Sequence, residues 1–285
     1  MSKVYACIDG LANTDAVIDW ATWAAQRLAE PLEFLHVLER HPERAEARDY
    51  SGAIGLNAQE SLLQELGDAD EKRGKQAQEA GRRLLAAARE RAAASGVTRL
   101  DARLHHGEFV DTVLEMEADA RLFVLGEHHH SSGPSKVHLD HHVERVIRSV
   151  QCSVLVATAE AFEPPERVVI AFDGSASARK AVEQVAGSSM LTGLPVVLAM
   201  VGVETALARR QLEEARIALQ AAGFSAETEL TAGEPQAVLP ARVKAKGPAL
   251  LVMGAFGHSR LRQLFLGSTT TTLLRLSEVP VLFMR

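Results

Sequence analysis

The chain has few of the residues that mark secreted, membrane or nucleic-acid-binding proteins. Its 285 residues include two cysteines, which argues against a disulfide framework. Lys and Arg number 31 against 37 Asp and Glu, and this net charge of -6 argues against a basic nucleic-acid-binding face. No apolar run is long enough to span a membrane, and the sequence begins in a strand-like run without a secretory signal. We therefore expect a cytoplasmic protein that binds neither nucleic acid nor a membrane.

What the chain does contain is a tandem duplication. Five short segments of the first half recur in the same order in the second half. The matched segments are 4–10 with 168–174, 32–37 with 196–201, 106–108 with 232–234, 122–126 with 250–254, and 154–156 with 281–283. Chance does not produce five ordered matches, so a duplication is indicated. We predict two domains, residues 1–158 and 167–285, joined by a short polar linker that contains Pro164 and Pro165.

Each copy alternates short β-branched runs with longer amphipathic segments. In the second copy this pattern predicts strands near 167–172, 195–201, 225–231, 249–254 and 280–284, and helices near 175–192, 203–222, 234–246 and 267–276. The first copy repeats the order, with a loop over 42–55 and a long Ala-rich helix from about 57 to 95. The alternation predicts an α/β fold of two tandem, doubly wound, parallel five-stranded sheets with helices on both faces, which is Rossmann-like.

The last strand of each copy is an apolar edge, Ser153–Ala157 in the first and Pro280–Met284 in the second. Unpaired strand edges tend to find partners. We therefore expect the two domains to pack through these strands as an intramolecular pseudo-dimer. The same logic allows a homodimer of the whole chain.

A glycine-punctuated loop joins a strand to a helix late in the second copy. It reads Gly-Ala-Phe-Gly from Gly254, then nine residues, then Gly267 and Ser268. Glycines let the backbone approach a ligand closely, and free N–H groups at a helix N-terminus attract an anion. Ser268 would cap the helix or donate to a phosphate. Three glycines alone fit an ordinary strand-to-helix connection equally well.

Two α/β copies that each open with a strand ending in Asp-Gly, with Gly-x2-Gly-x9-Gly-Ser late in the second, resemble the universal stress protein family. The resemblance covers essentially the whole chain and implies an adenine nucleotide alpha hydrolase-like fold. It implies a stress-response module whose second domain binds ATP or a related adenine nucleotide, with or without magnesium. By position, it implicates Ala171, Asp173, Val201, Met253, Gly254, Gly257, Gly267 and Ser268 in binding.

Two charged residues of this region have alternative roles. Asp173 is placed to accept hydrogen bonds from ribose hydroxyls, or simply to start the turn before the next helix. Arg260 lies in the loop and either neutralises phosphate charge or is a solvated surface residue. No positioned nucleophile, general base and orienting group can be assembled from these site and loop residues. We therefore expect a binding module with at most slow hydrolysis, and a metal-dependent nucleotide hydrolase or nucleotidyl-transfer enzyme is the alternative.

The first copy has lost the glycines of this loop. Aligned through the following helix, Asp140 stands in place of Gly267, and His129 falls near the position of Gly257. A carboxylate at a helix N-terminus neutralises the helix dipole itself and repels a phosphate. We therefore predict that the first half does not bind ATP in the family's manner.

Histidines are concentrated in the first copy, which holds ten of the 11. Six lie in the altered loop and its helix: His128, His129, His130, His138, His141 and His142. With Glu127 and Asp140 they offer ligands for Zn²⁺ or Ni²⁺, although no spacing is a recognised metal signature. A metal-binding stress protein is thus a further alternative, beside exposed histidines that bind metal opportunistically. The sequence identifies no protein partner.

Overall fold

A computed structural model describes residues 2–39, 56–127, 141–254 and 268–285, with only the backbone for 56–66, 141, 268 and 269. Strands and helices alternate throughout these residues. In chain order the elements are β1 (Lys3–Cys7), α1 (Thr14–Leu28), β2 (Leu32–Leu38), α2 (Leu56–Ala94), β3 (Leu100–His106), α3 (Phe109–Met116), β4 (Ala120–Gly126), α4 (His141–Ser149), β5 (Ser153–Ala157), β6 (Arg167–Ala171), α5 (Ala176–Ala186), β7 (Val196–Val201), α6 (Ala206–Ala221), β8 (Ala226–Thr231), α7 (Pro235–Lys244), β9 (Ala249–Gly254), α8 (Ser268–Leu276) and β10 (Val281–Met284).

The ten strands form one sheet in the order β3-β2-β1-β4-β5-β10-β9-β6-β7-β8. Neighbouring strands within each half are parallel. At the centre β5 pairs antiparallel with β10, with Leu155 opposite Leu282. The predicted packing through the last strands is therefore confirmed, and it joins the two predicted five-stranded sheets into one. The backbone N–H and C=O groups that each edge strand would otherwise expose are hydrogen-bonded to the other strand.

Helices cover both faces of the sheet, as the doubly wound prediction requires. The near-continuously apolar strands supply both core layers, because alternate side chains point to opposite faces. In β6, for example, Val168 and Ile170 lie in one layer and Val169 in the other. Helices α1, α2, α5 and α6 pack on the first layer, and α3, α4, α7 and α8 pack on the second. Both layers run without interruption through the two halves.

The predicted helix boundaries are confirmed for α2 and corrected for α5. Helix α2 spans Leu56–Ala94, close to the predicted 57 to 95, whereas the loop predicted over 42–55 lies outside the described residues. The helix predicted over 175–192 ends at Ala186, and a separate short 3-10 turn follows at Ser189–Leu191. The break occurs because Gly187 ends the helix, with its N–H bonded to helix carbonyls, and Ser188 is extended. Among the described helices, none is long and apolar enough to cross a membrane.

Contacts outside the sheet also hold the two halves together. The Arg27 guanidinium on α1 donates to the carbonyl oxygens of Met190 and Thr192 in the second half. In the connection between β5 and β6, the ring of Phe162 meets that of Trp20 edge-on, with centroids 4.8 Å apart. The connecting segment is thus fixed to α1 by an aromatic contact.

We expect Phe162→Ala to lower the free energy of unfolding by about 1–3 kcal/mol, less than for a fully buried phenylalanine because Phe162 is only half-buried. Urea denaturation followed by circular dichroism measures this. The exposed neighbour Glu163 is the control, and Glu163→Ala should change the value by no more than about 0.5 kcal/mol. Equal effects of the two substitutions would contradict a stabilising role for the ring contact.

Candidate functional site

A cavity of about 250 Å³ opens at the carboxyl edge of the second half of the sheet. It lies where β6 is flanked by β7 on one side and β9 on the other, which is where the strand order reverses. In open α/β sheets, ligands bind at such switch points. The cavity is lined by Ala171, Phe172, Asp173, Ser175, Ser177, Ala178, Ala199, Val201, Pro235, Leu239, Met253, Gly254, Thr270 and Leu273.

Five of the nine residues predicted to bind a ligand line this one cavity. They are Ala171, Asp173, Val201, Met253 and Gly254. Gly257, Arg260 and Gly267 lie outside the described residues, and Ser268 is the first residue of α8, where only the backbone is described. The fold therefore brings together the predicted residues from the ends of three separate strands, and the loop residues stay predictions.

Asp173 adopts the turn role that the sequence allowed. Its Oδ1 accepts a hydrogen bond from the Ser175 N–H at 2.9 Å, and Gly174 between them has φ +75°. Ser175 then caps α5 by accepting from the Ala178 N–H at 3.2 Å. A carboxylate accepts several hydrogen bonds, so this turn does not prevent Asp173 from also binding a hydroxyl group at the cavity.

The amino-terminal ends of three helices reach the cavity. Ser177 and Ala178 come from the first turn of α5, Pro235 is the first residue of α7, and Thr270 is the third residue of α8. A helix N-terminus carries partial positive charge, so convergent N-termini favour an anion. Pro235 has no N–H and the Ala178 N–H is bonded to Ser175, so these two residues contribute through the helix dipole. Within the described lining, Asp173 carries the only ionisable side chain. The described surroundings thus fit a ligand with an anionic end.

Sequence reasoning missed the residues that the helices contribute to the walls. Pro235 and Leu239 are four residues apart, which places them on one face of α7, and both line the cavity. The match of 106–108 with 232–234 marked the start of this helix and was the signal that would have found them. Thr270 and Leu273 both line the cavity as well. They are three residues apart, which places them on one face of α8, and this spacing was the signal for them.

The first half has a cavity of about 290 Å³ at the equivalent place, between the ends of β1 and β4. Its walls are formed by Cys7, Ile8, Asp9, Leu11, Val37, Glu39, Phe109, Leu125, Gly126, His142 and Val143. In the matched segments Cys7 corresponds to Ala171, Val37 to Val201, and Leu125 to Met253. Burial raises the pKa of the Cys7 thiol, which therefore stays protonated and unreactive at neutral pH.

Glu39 distinguishes this first cavity from the second. Its Oε1 accepts a hydrogen bond from the Phe109 N–H at 2.8 Å, at the N-terminus of α3. Its Oε2 lies 3.8 Å from His142 Nε2 in the first turn of α4. The corresponding residue of the second half is Val203, which is 83% exposed. Sequence reasoning missed Glu39, although it stands two residues beyond a matched segment.

The structure describes part of the predicted histidine cluster. Within the described ranges there is no group of three or more His, Cys, Asp or Glu side chains that could hold a metal ion. His128, His129, His130 and His138 lie outside those ranges, as does Asp140, and the side chain of His141 is not described. A metal site in this loop therefore stays the alternative that the sequence left open.

Comparison with known proteins identifies the family. The Universal stress protein family matches the chain over residues 1–158 and 165–285. The chain is similar to the universal stress protein Slr1230 of Synechocystis, with 32% identity over 288 residues that cover 100% of both chains. This chain belongs to the universal stress protein family. Two universal stress protein repeats in tandem thus account for the duplication.

Solved structures support the same fold. A universal stress protein from Archaeoglobus fulgidus superimposes with a TM-score of 0.63 at 16% identity, covering 99% of this chain and 96% of that one. A protein of unknown function from Pseudomonas aeruginosa gives a TM-score of 0.55 at 16% identity, covering 100% and 92%. At these identities the similarity concerns the fold alone. The universal stress protein assignment therefore rests on the sequence matches, and the structures agree with it.

Proposed function

We propose that the second universal stress protein repeat, taken as residues 167–285, binds ATP or a related adenine nucleotide, with or without magnesium, and that the protein is a stress-response binding module. One observation carries the proposal. Residues that the family resemblance implicates from the ends of β6, β7 and β9 line one cavity at the switch point of the sheet.

The described walls suit the parts of such a ligand. Ala199, Val201, Leu239 and Met253 offer apolar contact for a base. Asp173 at the mouth accepts hydrogen bonds from ribose hydroxyls. The N-termini of α5, α7 and α8 favour the phosphate groups, and the glycine-rich loop after Gly254 would complete their binding.

The described part of the walls does not pair a nucleophile with a His, Lys or Cys side chain. The hydroxyl oxygens of Ser175 and Ser177 are 3.0 Å apart, but no His, Lys or Cys side chain accompanies them in the described lining. A serine without an adjacent general base is a weak nucleophile. Binding is therefore the function that this cavity supports best, ahead of the enzyme alternative.

A wall substitution tests the proposal, because Val201→Trp fills part of the second cavity and should weaken ATP binding at least tenfold. Isothermal titration of the full chain with magnesium ATP measures affinity and stoichiometry. Val37→Trp is the matched control: it changes the equivalent residue of the first cavity and should leave one ATP bound per chain with unchanged affinity. Mass spectrometry of the native protein identifies any nucleotide that co-purifies. The proposal fails if wild type binds no adenine nucleotide, or if Val201→Trp binds ATP as tightly as wild type.

A further inference from the structure

A third cavity, which we call the interface cavity, lies between the two repeats and has a volume of about 250 Å³. It is lined from the first repeat by Leu28, Arg121 and Leu122, and from the second by Gln184, Gly187 and Met190. It shares no residue with the described lining of the other two cavities. The interface cavity is therefore separate from the proposed nucleotide site.

The equivalent place on the other side of the repeat boundary is filled by two tryptophans. The matched segments before and after α1 and α5 are equally spaced, so Gln184 corresponds to Trp20 and Gly187 to Trp23. Trp20 is 2% exposed, and its ring meets that of Trp23 edge-on with centroids 5.3 Å apart. The halves pair through equivalent strands, so equivalent residues have equivalent surroundings. The interface cavity thus lies where the second repeat lacks two indole rings that the first repeat supplies.

The apolar walls of the interface cavity suit an aromatic ring. Leu28, Leu122, Met190 and Met284 belong to the first core layer and line the cavity. Methionine sulfur makes favourable contacts with aromatic rings. An apolar cavity of about 150 Å³ holds one benzene ring, so about 250 Å³ accommodates a ring system of the size of indole with one small substituent.

Gln184 offers an acceptor for a hydrogen-bond donor of the ligand. Its Oε1 is buried and has no hydrogen-bond partner within the residues that the structure describes. A buried acceptor without a donor carries the full cost of its desolvation, and an N–H or O–H group placed against it offsets that cost. The unpaired oxygen therefore favours a ring system that carries a donor.

Arg121 carries the only charge in the described lining of the interface cavity. Its side chain is exposed, and no hydrogen bond or ion pair joins it to another described residue. The corresponding residue of the second repeat is Ala249, so the cation is present only beside the open cavity. A guanidinium binds a carboxylate through two parallel hydrogen bonds. The charge of Arg121 therefore favours a ligand with a carboxylate.

We propose that the interface cavity binds a small aromatic carboxylic acid that carries a hydrogen-bond donor on its ring system, with an indole carboxylate as the representative compound. The ring takes the place that the indoles occupy in the first repeat. Its N–H donates to Gln184 Oε1, and its carboxylate binds Arg121. Because the walls come from both repeats, this site exists only when the repeats are packed together.

Isothermal titration of the full chain with indole-3-carboxylate tests this proposal, and one molecule per chain should bind. Two related compounds test the chemical class. Indole lacks the carboxylate and 1-naphthoate lacks the ring N–H, so each should bind at least fivefold more weakly than indole-3-carboxylate.

Three substitutions assign the binding to the interface cavity. Gly187→Trp copies Trp23 and fills the cavity, so it should weaken binding of indole-3-carboxylate at least tenfold. Arg121→Gln should weaken it at least fivefold and leave the binding of uncharged indole unchanged. Gln184→Leu should remove the preference for indole-3-carboxylate over 1-naphthoate. Arg89→Gln, at an exposed position on α2, is the matched control for loss of a positive charge and should change none of these affinities.

The proposal is overturned if wild type binds no indole-3-carboxylate, or if Arg121→Gln binds it as tightly as Arg89→Gln does. It is also overturned if folded Gly187→Trp binds indole-3-carboxylate as tightly as wild type. If circular dichroism shows that Gly187→Trp does not fold, Arg121→Gln and Gln184→Leu decide the matter. Equal affinities of wild type for indole-3-carboxylate and 1-naphthoate would contradict the role of Gln184 and with it the class of ligand.

Discussion

Replacing Gly267 by Asp is expected to lower the ATP affinity of the second repeat more than 100-fold. The substitution copies Asp140 of the first repeat and places a carboxylate at the residue just before α8. Two like charges about 4 Å apart repel by about 4 kcal/mol at an effective dielectric constant of about 20. Since about 1.4 kcal/mol changes affinity tenfold, a loss beyond 100-fold follows even if the separation is larger.

A neutral substitution of nearly the same shape isolates the charge. Gly267→Asn adds a side chain but no charge, so it should weaken ATP binding much less than Gly267→Asp. Isothermal titration with ATP and with adenosine completes the comparison, because adenosine has no phosphate to repel. If Asp and Asn weaken ATP binding equally, the glycine is needed for its backbone freedom and charge does not explain the difference between the repeats.

The fold was predictable because the duplication repeats each pattern of apolar strands and amphipathic helices. The apolar runs that became β6 and β9 match those that became β1 and β4, so each half corroborates the other. Pairing of the last strands was also predictable, because an apolar edge needs a partner. For α5, amphipathic spacing alone predicted a helix that is too long, because Gly187 ends the helix locally.

The residues of the candidate site were predictable only where they lie at the ends of predicted strands. Ala171, Val201 and Met253 follow from the ends of three strands that the topology brings together. The contributions of α7 and α8 depend on how these helices lie across the sheet, and this is decided by packing. Glu39 could not be predicted either, because its position at the cavity depends on a hydrogen bond from Phe109, which is 70 residues away in sequence.

The two halves therefore share one architecture and differ at the N-terminus of the helix that follows their third strand. In the first repeat a carboxylate of the chain fills that position, while the equivalent Val203 in the second repeat is exposed. The pairing of β5 with β10 joins both repeats in one sheet. The two cavities of the duplicated chain thus differ in their described walls while the strand order of each half stays the same.

Gly254 is the position where the second site depends most directly on close backbone approach. A Cβ atom there would lie 2.5 Å from the carbonyl carbon of Ser177 and 3.0 Å from the amide nitrogen of Ala178, and closer still to the Ser177 carbonyl oxygen. These atoms belong to the first turn of α5, so no side-chain rotation relieves the overlap. Gly254→Ala should therefore lower the free energy of unfolding by about 3 kcal/mol, at the upper end of the usual cost of overpacking.

Gly187 offers a matched control at the other end of the same helix. A Cβ atom there would lie 3.7 Å from the nearest backbone oxygen, so Gly187→Ala should change stability by no more than about 0.5 kcal/mol. Urea denaturation measures both variants, and ATP titration should show weaker binding for Gly254→Ala alone, because the first turn of α5 that it displaces lines the cavity. Equal stabilities of the two variants would mean that α5 shifts freely. In that case the N-terminus of α5 is not held in place for a ligand, and the anion-binding role of that helix would have to be abandoned.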